Sequence, residues 1–238
     1  MANLSTLITP LKILVLGSVQ RLLDNIKSLF TRSGPPLSAA GLTVLCPIIN
    51  GGSGQLSNAM RTRKHLHEMS QHNDSPMAKV PNTYLCRFYV LNDVFYEGSP
   101  ATEEHLKSKY LVFSTDYYGR LNAYLEGMWE HAQSDVEDIW RHCVAFDKVQ
   151  SAADFVSYMK KCQVKNHLFF NGSTGDPLAE QLKSLYLKQE FSRFVYENQD
   201  SDPVALRQAF KDFIARTEPN NLDASTWVSG AAKELVKS

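Results

Sequence analysis

Two runs decide the fold: TYLCRFYVLND at 83–93 and KYLVFSTDYYGRLN at 109–122. Both are dense in Tyr, Phe, Val and Leu, the residues that fit a pleated, half-buried surface. The polar loop between them passes through Gly98, Ser99 and Pro100. They are expected to form antiparallel neighbours that carry Arg87, Asp116 and Gly119 to the start of a long helix.

Upstream, LTVLCPII (42–49) is a short apolar run ended by Asn50, Gly51 and Gly52, the pattern of a buried strand stopping at a turn. From Gln55 to His72, the residues Leu56, Ala59, Met60, Leu66 and Met69 keep helical spacing, and SQHNDSP supplies breakers. Downstream of Gly119, Leu121, Tyr124, Leu125, Met128, Trp129, Ala132, Val136, Ile139, Trp140 and Cys143 trace one broad apolar stripe. A shorter helix follows at Ser151–Cys162, and VKNHLFFNG (164–172) reads as a fourth strand. The order β-α-β-β-α-β, with one helix inserted before the last strand, predicts an α+β fold. Its natural form is a ferredoxin-like antiparallel sheet with helices on one face.

Three segments are expected: an amphipathic helix and linker at 1–40, the ferredoxin-like domain at 41–175 and a helical extension at 176–238. The apolar stretch LITPLKILVLG lacks a positive n-region, carries Pro10 and Lys12, and is far shorter than the ~20 apolar residues of a spanning helix. Val19, Leu22, Leu23, Ile26, Leu29 and Phe30 then recur at helical spacing. Such a helix packs on the domain or a partner subunit, or lies on a membrane surface as a peripheral contact. Asp176-Pro177 and Asp202-Pro203 each read as a cap followed by a first-turn proline, opening two C-terminal helices. The sheet's second face then needs a cover, from these helices or from a homodimer.

The 25 basic residues balance the 25 acidic ones with no long basic run, so nucleic acid is not an expected partner. Cys46, Cys86, Cys143 and Cys162 lack CxxC spacing and read as reduced thiols of a cytoplasmic chain, with no metal site. Gly51, Gly52 and Gly54 have neither P-loop nor dinucleotide spacing and read as a turn.

LTVLCPIINGG, SPMAKVPNTYLCRFYVLND, KYLVFSTDYYGRLNAYLEGMW and DIWRHC follow, in order, the pattern of a bacterial family that resembles the dimeric α/β-barrel superfamily. Its members are similar to the ferredoxin-like halves of dye-decolourising peroxidases and chlorite-dismutase-like haem proteins. The resemblance covers roughly Leu42 to Gly172. In the family pattern the second strand reads T-H-F-A-R, the third ends in Asp-Gly and the helix end reads H-C-x-G-F-P. This chain keeps Thr83, Arg87, Gly119, His142 and Cys143, but has Tyr84 for the histidine, Tyr118 for the aspartate, and Ala145 and Asp147 near the end. Those departures fall on the polar positions where a family chemistry would be carried.

The resemblance implies a peroxidase-like oxidoreductase that holds haem or an apolar small molecule between the sheet and the long helix. A haem iron needs an axial imidazole, and His131 and His142 on the long helix are the candidates. Arg87, set among apolar neighbours, needs an anion: a ligand carboxylate, a haem propionate or a peroxide oxygen. A salt bridge to Asp116 or Glu126 is its structural alternative. Asp116 is either a catalytic carboxylate or an acceptor for the backbone at the helix start. Tyr84, Phe88, Tyr117, Tyr118, Tyr124 and Trp129 would line the pocket, or serve as plain core. Two other readings compete. One is a non-catalytic binding or assembly module whose N-terminal helix docks on a membrane or partner; the other is a cofactor-free monooxygenase.

Overall fold

The computed structural model describes residues 39–230, apart from 95–97, 100, 101, 103 and 173–175. The expected N-terminal helix lies outside the described residues. The elements are β1 (Ala39–Pro47), a small hairpin of β2 (Gly52–Ser53) and β3 (Leu56–Ser57), α1 (Asn58–Glu68), β4 (Thr83–Leu91) and β5 (Tyr110–Tyr118). Then come α2 (Leu121–Trp140), α3 (Ala152–Cys162), β6 (Gln163–Val164), α4 (Leu178–Glu197) and α5 (Pro203–Thr217). The chain is thus α+β, with a four-stranded antiparallel sheet in the order β4-β5-β1-β6.

β4 and β5 are antiparallel neighbours, as the two aromatic runs predicted. Period-two alternation divides the sheet into two faces. On the inner face Leu42, Val44 and Cys46 of β1 and Leu111, Phe113 and Thr115 of β5 are buried, and Cys86, Phe88 and Val90 of β4 pack against them. Helices α1, α2 and α3 close this face through Ala59, Leu125, Met128, Trp140, Phe155 and Met159. The apolar stripe read along α2 is accordingly core: Tyr124, Leu125, Met128, Trp129, Ala132, Val136, Ile139 and Trp140 are all buried, across a kink at Ala132.

The tightest knot in this core is aromatic. Trp140 lies edge-on to Phe113 at 5.6 Å, to Phe88 at 5.6 Å and to Phe155 at 5.8 Å between ring centroids. Its indole N–H donates to the Cys46 sulfur at 3.3 Å. Gly119 makes the turn from β5 into α2 with φ of +94°, a left-handed conformation that a side chain would strain.

Two boundaries differ from expectation. β1 begins at Ala39, inside the segment read as linker, because Ala39 and Ala40 continue the pairing with Tyr118 and Tyr117. The fourth strand shrinks from nine residues to Gln163 and Val164, paired with Val44 and Thr43. Beyond Val164 the Asn166 side-chain amide donates to the Gly41 carbonyl at 2.8 Å, occupying with a side chain the edge of β1 that a longer strand would pair.

The two C-terminal helices form where the Asp-Pro pairs place them, but the caps differ. Asp202 accepts from the N–H groups of Val204 and Ala205. At the first helix, however, the cap residue is Pro177 rather than Asp176, with no side-chain bond. α4 and α5 pack on each other through Phe191, Phe194, Phe210 and Phe213. The buried Lys183 ammonium donates to the Thr217 and Ser225 carbonyls, fastening the end of α5 and the chain after it to α4. Among the described residues, no helix is long and apolar enough to cross a membrane.

Replacing Trp140 with Ala opens a void no neighbour can fill. It should cost about 3–5 kcal/mol of unfolding free energy, read as a lowered denaturant midpoint by near-UV circular dichroism. An unchanged midpoint would show that the aromatic knot does not carry the fold.

Candidate functional site

The alternation that buries Phe88 turns Arg87 the other way. Arg87 lies opposite Ser114 of β5, which itself lies opposite Thr43 of β1, on the outer face of the sheet. Its side chain is exposed there. The expectation that Arg87 points beneath the long helix is therefore corrected: one residue of register decides between core and solvent. It forms an ion pair with neither Asp116 nor Glu126; Asp116 occupies the neighbouring row of the same outer face, opposite Leu85 and Gly41. Asp116 does not cap α2 either, because the cap position is Arg120, without a side-chain bond.

A bulge between Thr83 and Leu85 explains how one strand serves both faces. It turns Thr83 inward, where its hydroxyl and that of Thr115 bond the Tyr124 hydroxyl at 3.2 and 3.1 Å. Burial pushes that phenol up to about 12. Tyr84 is left outside, edge-on to Tyr118 at 6.4 Å, and Tyr118 in turn accepts from the Gln181 amide of α4.

The six expected pocket residues thus divide between two surfaces. Phe88 stacks on Phe113 at 4.6 Å, Tyr117 on Tyr124 at 4.6 Å, and Trp129 lies against Phe155 at 5.5 Å, all in the core. Tyr84 and Tyr118 belong to the outer side. The space between sheet and α2 where haem or an apolar substrate was expected is filled by these rings. A cavity of about 60 Å³ lies elsewhere, bounded by Ile48, Ile49, Asn50, Gly51, Ser57, Ala59 and Lys109. It is well below the roughly 300–1,000 Å³ of small-molecule sites.

The residues do not fit haem. His131 is exposed, and its Nδ1 atom bonds the Gly127 carbonyl of its own helix at 2.9 Å. His142 is half-buried just beyond the end of α2, and burial, with help from Arg141, Arg61 and His65, pulls its imidazole below the ordinary range.

One cluster escaped sequence reasoning. Cys46 of β1, Cys143 beyond α2 and Cys162 at the end of α3 converge on Tyr158 and Trp140, although the thiols are far apart in the chain. All four cysteines are free. Contact with Cys143, together with burial, pushes the Cys46 thiol up to about 12. Burial alone lifts Cys86 to about 11, and contact with Cys46 followed by burial raises Cys162. The only sequence signal was that positions 46 and 143 fall on apolar faces. A protonated thiol is neither nucleophile nor good metal ligand, and no group of three or more metal-ligating residues is placed to hold an ion among the described residues.

No protein-family model matches the chain, nor does a curated protein or a solved structure.

Because folded Cys46 and Cys86 titrate above the ordinary value of 9.0, the unfolded chain releases these two protons first as pH rises. The stability they confer is complete below pH 9 and declines between about 9 and about 12. Thermal melts should show a falling midpoint across that range, and Cys46→Ala with Cys86→Ala should flatten the fall. A thiol reagent at pH 8 should label the native protein much more slowly than the unfolded one; rapid native labelling of Cys46 would contradict its burial.

Proposed function

We propose that this chain is a non-catalytic assembly module, a ferredoxin-like layer that pairs with a second copy of itself through the outer face of its sheet. The strand order β4-β5-β1-β6, antiparallel throughout and interleaved with α1, α2 and α3 on one face, supports the ferredoxin-like reading.

The observation that carries the proposal is the outer face of β4, where large apolar side chains on either side of Arg87 meet solvent. Tyr84, Leu85 and Tyr89 are 56%, 48% and 50% exposed. Strands with near-continuous apolar runs belong to sheets buried on both sides. The row Leu45–Val112–Tyr89 runs straight across β1, β5 and β4, and Pro47–Tyr110–Leu91 lies beside it. Val112, at the centre of the first row, is itself buried, while Tyr89 beside it meets solvent. The helical pair α4 and α5 reaches this side of the sheet where Gln181 bonds Tyr118, but leaves the β4 side chains open. A second copy offers the same apolar rows, so a two-fold, face-to-face pairing is self-complementary. Arg87 and Asp116, within the same face and without ion pairs among the described residues, offer the second copy complementary charges. In this reading Arg87 selects a partner rather than a peroxide.

Sedimentation analysis of the full chain should show a dimer. Leu85→Glu with Tyr89→Glu should weaken association about a hundredfold or more while leaving the far-UV spectrum unchanged. A monomer at all concentrations would overturn the proposal. So would a Soret band on haem titration that is lost in His142→Ala or His131→Ala, because it would restore the oxidoreductase reading.

A further inference from the structure

The chain leaving β6 builds a different kind of surface. Its residues Lys165 to Asn171 turn back over the outer face at the start of β1, where Phe169 seats on Gly41. A Cβ atom at position 41 would meet that ring at 2.7 Å, so only glycine admits it. The Asn166 amide bonds the Gly41 carbonyl from the same segment. The loop is therefore held at its middle by packing and at its base by a hydrogen bond.

That anchorage gives meaning to what it leaves outside. Leu168 and Phe170, on either side of the seated ring, are 88% and 85% exposed. These are the most exposed large apolar side chains among the described residues, on a segment whose backbone is fastened. In the stretch of chain leading to them, Lys160 and Lys161 at the end of α3, and Lys165 at the root of the loop, are all exposed. None of the three has an ion-pair partner among the described residues, and no acidic residue occurs from 155 to 172. Asp116, opposite Gly41 in register, is the acidic group at the base of the loop.

We infer that the 165–171 loop is a membrane-surface anchor, in which Leu168 and Phe170 enter the boundary of an anionic bilayer and Lys160, Lys161 and Lys165 engage its headgroups. Two apolar tips and three cations without ion pairs in the one stretch 160–170 match the two requirements of peripheral binding: buried apolar area and attraction to negative lipid. A protein groove would accept the apolar pair but gives no reason for the unpaired lysines in the same stretch. The anchor uses side chains different from those of the dimer proposed above: Leu168 and Phe170 lie on the loop over Gly41, at the β1 end of the row that holds Leu85.

The test is cosedimentation of the full chain with phosphatidylcholine vesicles, with and without phosphatidylserine, and sedimentation analysis of the same samples. The wild type should bind the phosphatidylserine vesicles and release at high salt. Leu168→Asp with Phe170→Asp, and separately Lys160→Glu with Lys161→Glu and Lys165→Glu, should each weaken binding about tenfold or more. Both sets alter exposed side chains, so the thermal midpoint and the oligomeric state should not change. Three results would overturn the inference: equal binding to neutral vesicles, wild-type affinity in either set of variants (which would assign binding to the stretch before residue 39), or no vesicle binding by the wild type. Retained dimerisation with lost vesicle binding separates failure of the anchor from failure of the assembly proposal.

Discussion

The contact on which the rest of the molecule depends is the Trp140 indole set among Phe88, Phe113 and Phe155 with its N–H on the Cys46 sulfur. Phe88 and Phe113 come from two paired strands, Cys46 from a third, Phe155 from α3 and Trp140 from the last turn of α2. One side chain thus fixes the distance between helices and sheet. The bond also settles the indole's polar atom, which would otherwise be buried without a partner. A large aromatic at this point makes α2 a lid pressed onto the sheet, with Met128 and Leu125 filling the remaining length.

That packing has a functional consequence. A fold of this order could hold a ligand between helices and sheet only by leaving small side chains or a gap there. This chain places its largest rings at that position. In the proposed reading, recognition is carried instead by the outer surfaces of the sheet and the loop after β6. The same logic governs the thiols: Cys46 and Cys162 are close enough to affect one another, but burial favours their neutral form.

Much of the architecture was legible because period and punctuation agree over long stretches. The aromatic runs at 83–93 and 109–122, the stripe from Leu121 to Cys143 and the proline at 203 each specify an element, and each element is present. What failed was a matter of a single residue. Arg87 was judged by its apolar neighbours in sequence, yet in a strand the neighbours i−1 and i+1 lie on the opposite face. Reading Cys86, Phe88 and Val90 as the inward set would have placed Arg87 outside. The run LFF at 168–170 has strand composition, but a strand also needs an edge to pair with, and the Asn166 bond to Gly41 shows that tertiary contact, not composition, ended β6. The convergence of three cysteines depends on the packing of three elements and left no local trace.

Exposed apolar groups in this molecule differ in how they are backed, and the backing separates candidate interfaces from incidental exposure. On α4 and α5, Phe191 and Phe210 are half exposed, but each already lies within 6.0 Å of another ring centroid, so their outer edges are the margins of a core. Leu85 and Tyr89 are different, because the strand beneath them is rigidly paired on one side while their own faces meet solvent. Leu168 and Phe170 are different again, since they flank a residue that only Gly41 can receive. A Cβ at position 41 would push Phe169 off the sheet and release the loop. That position therefore links the local geometry of one glycine in a paired strand to the presentation of two side chains at the surface.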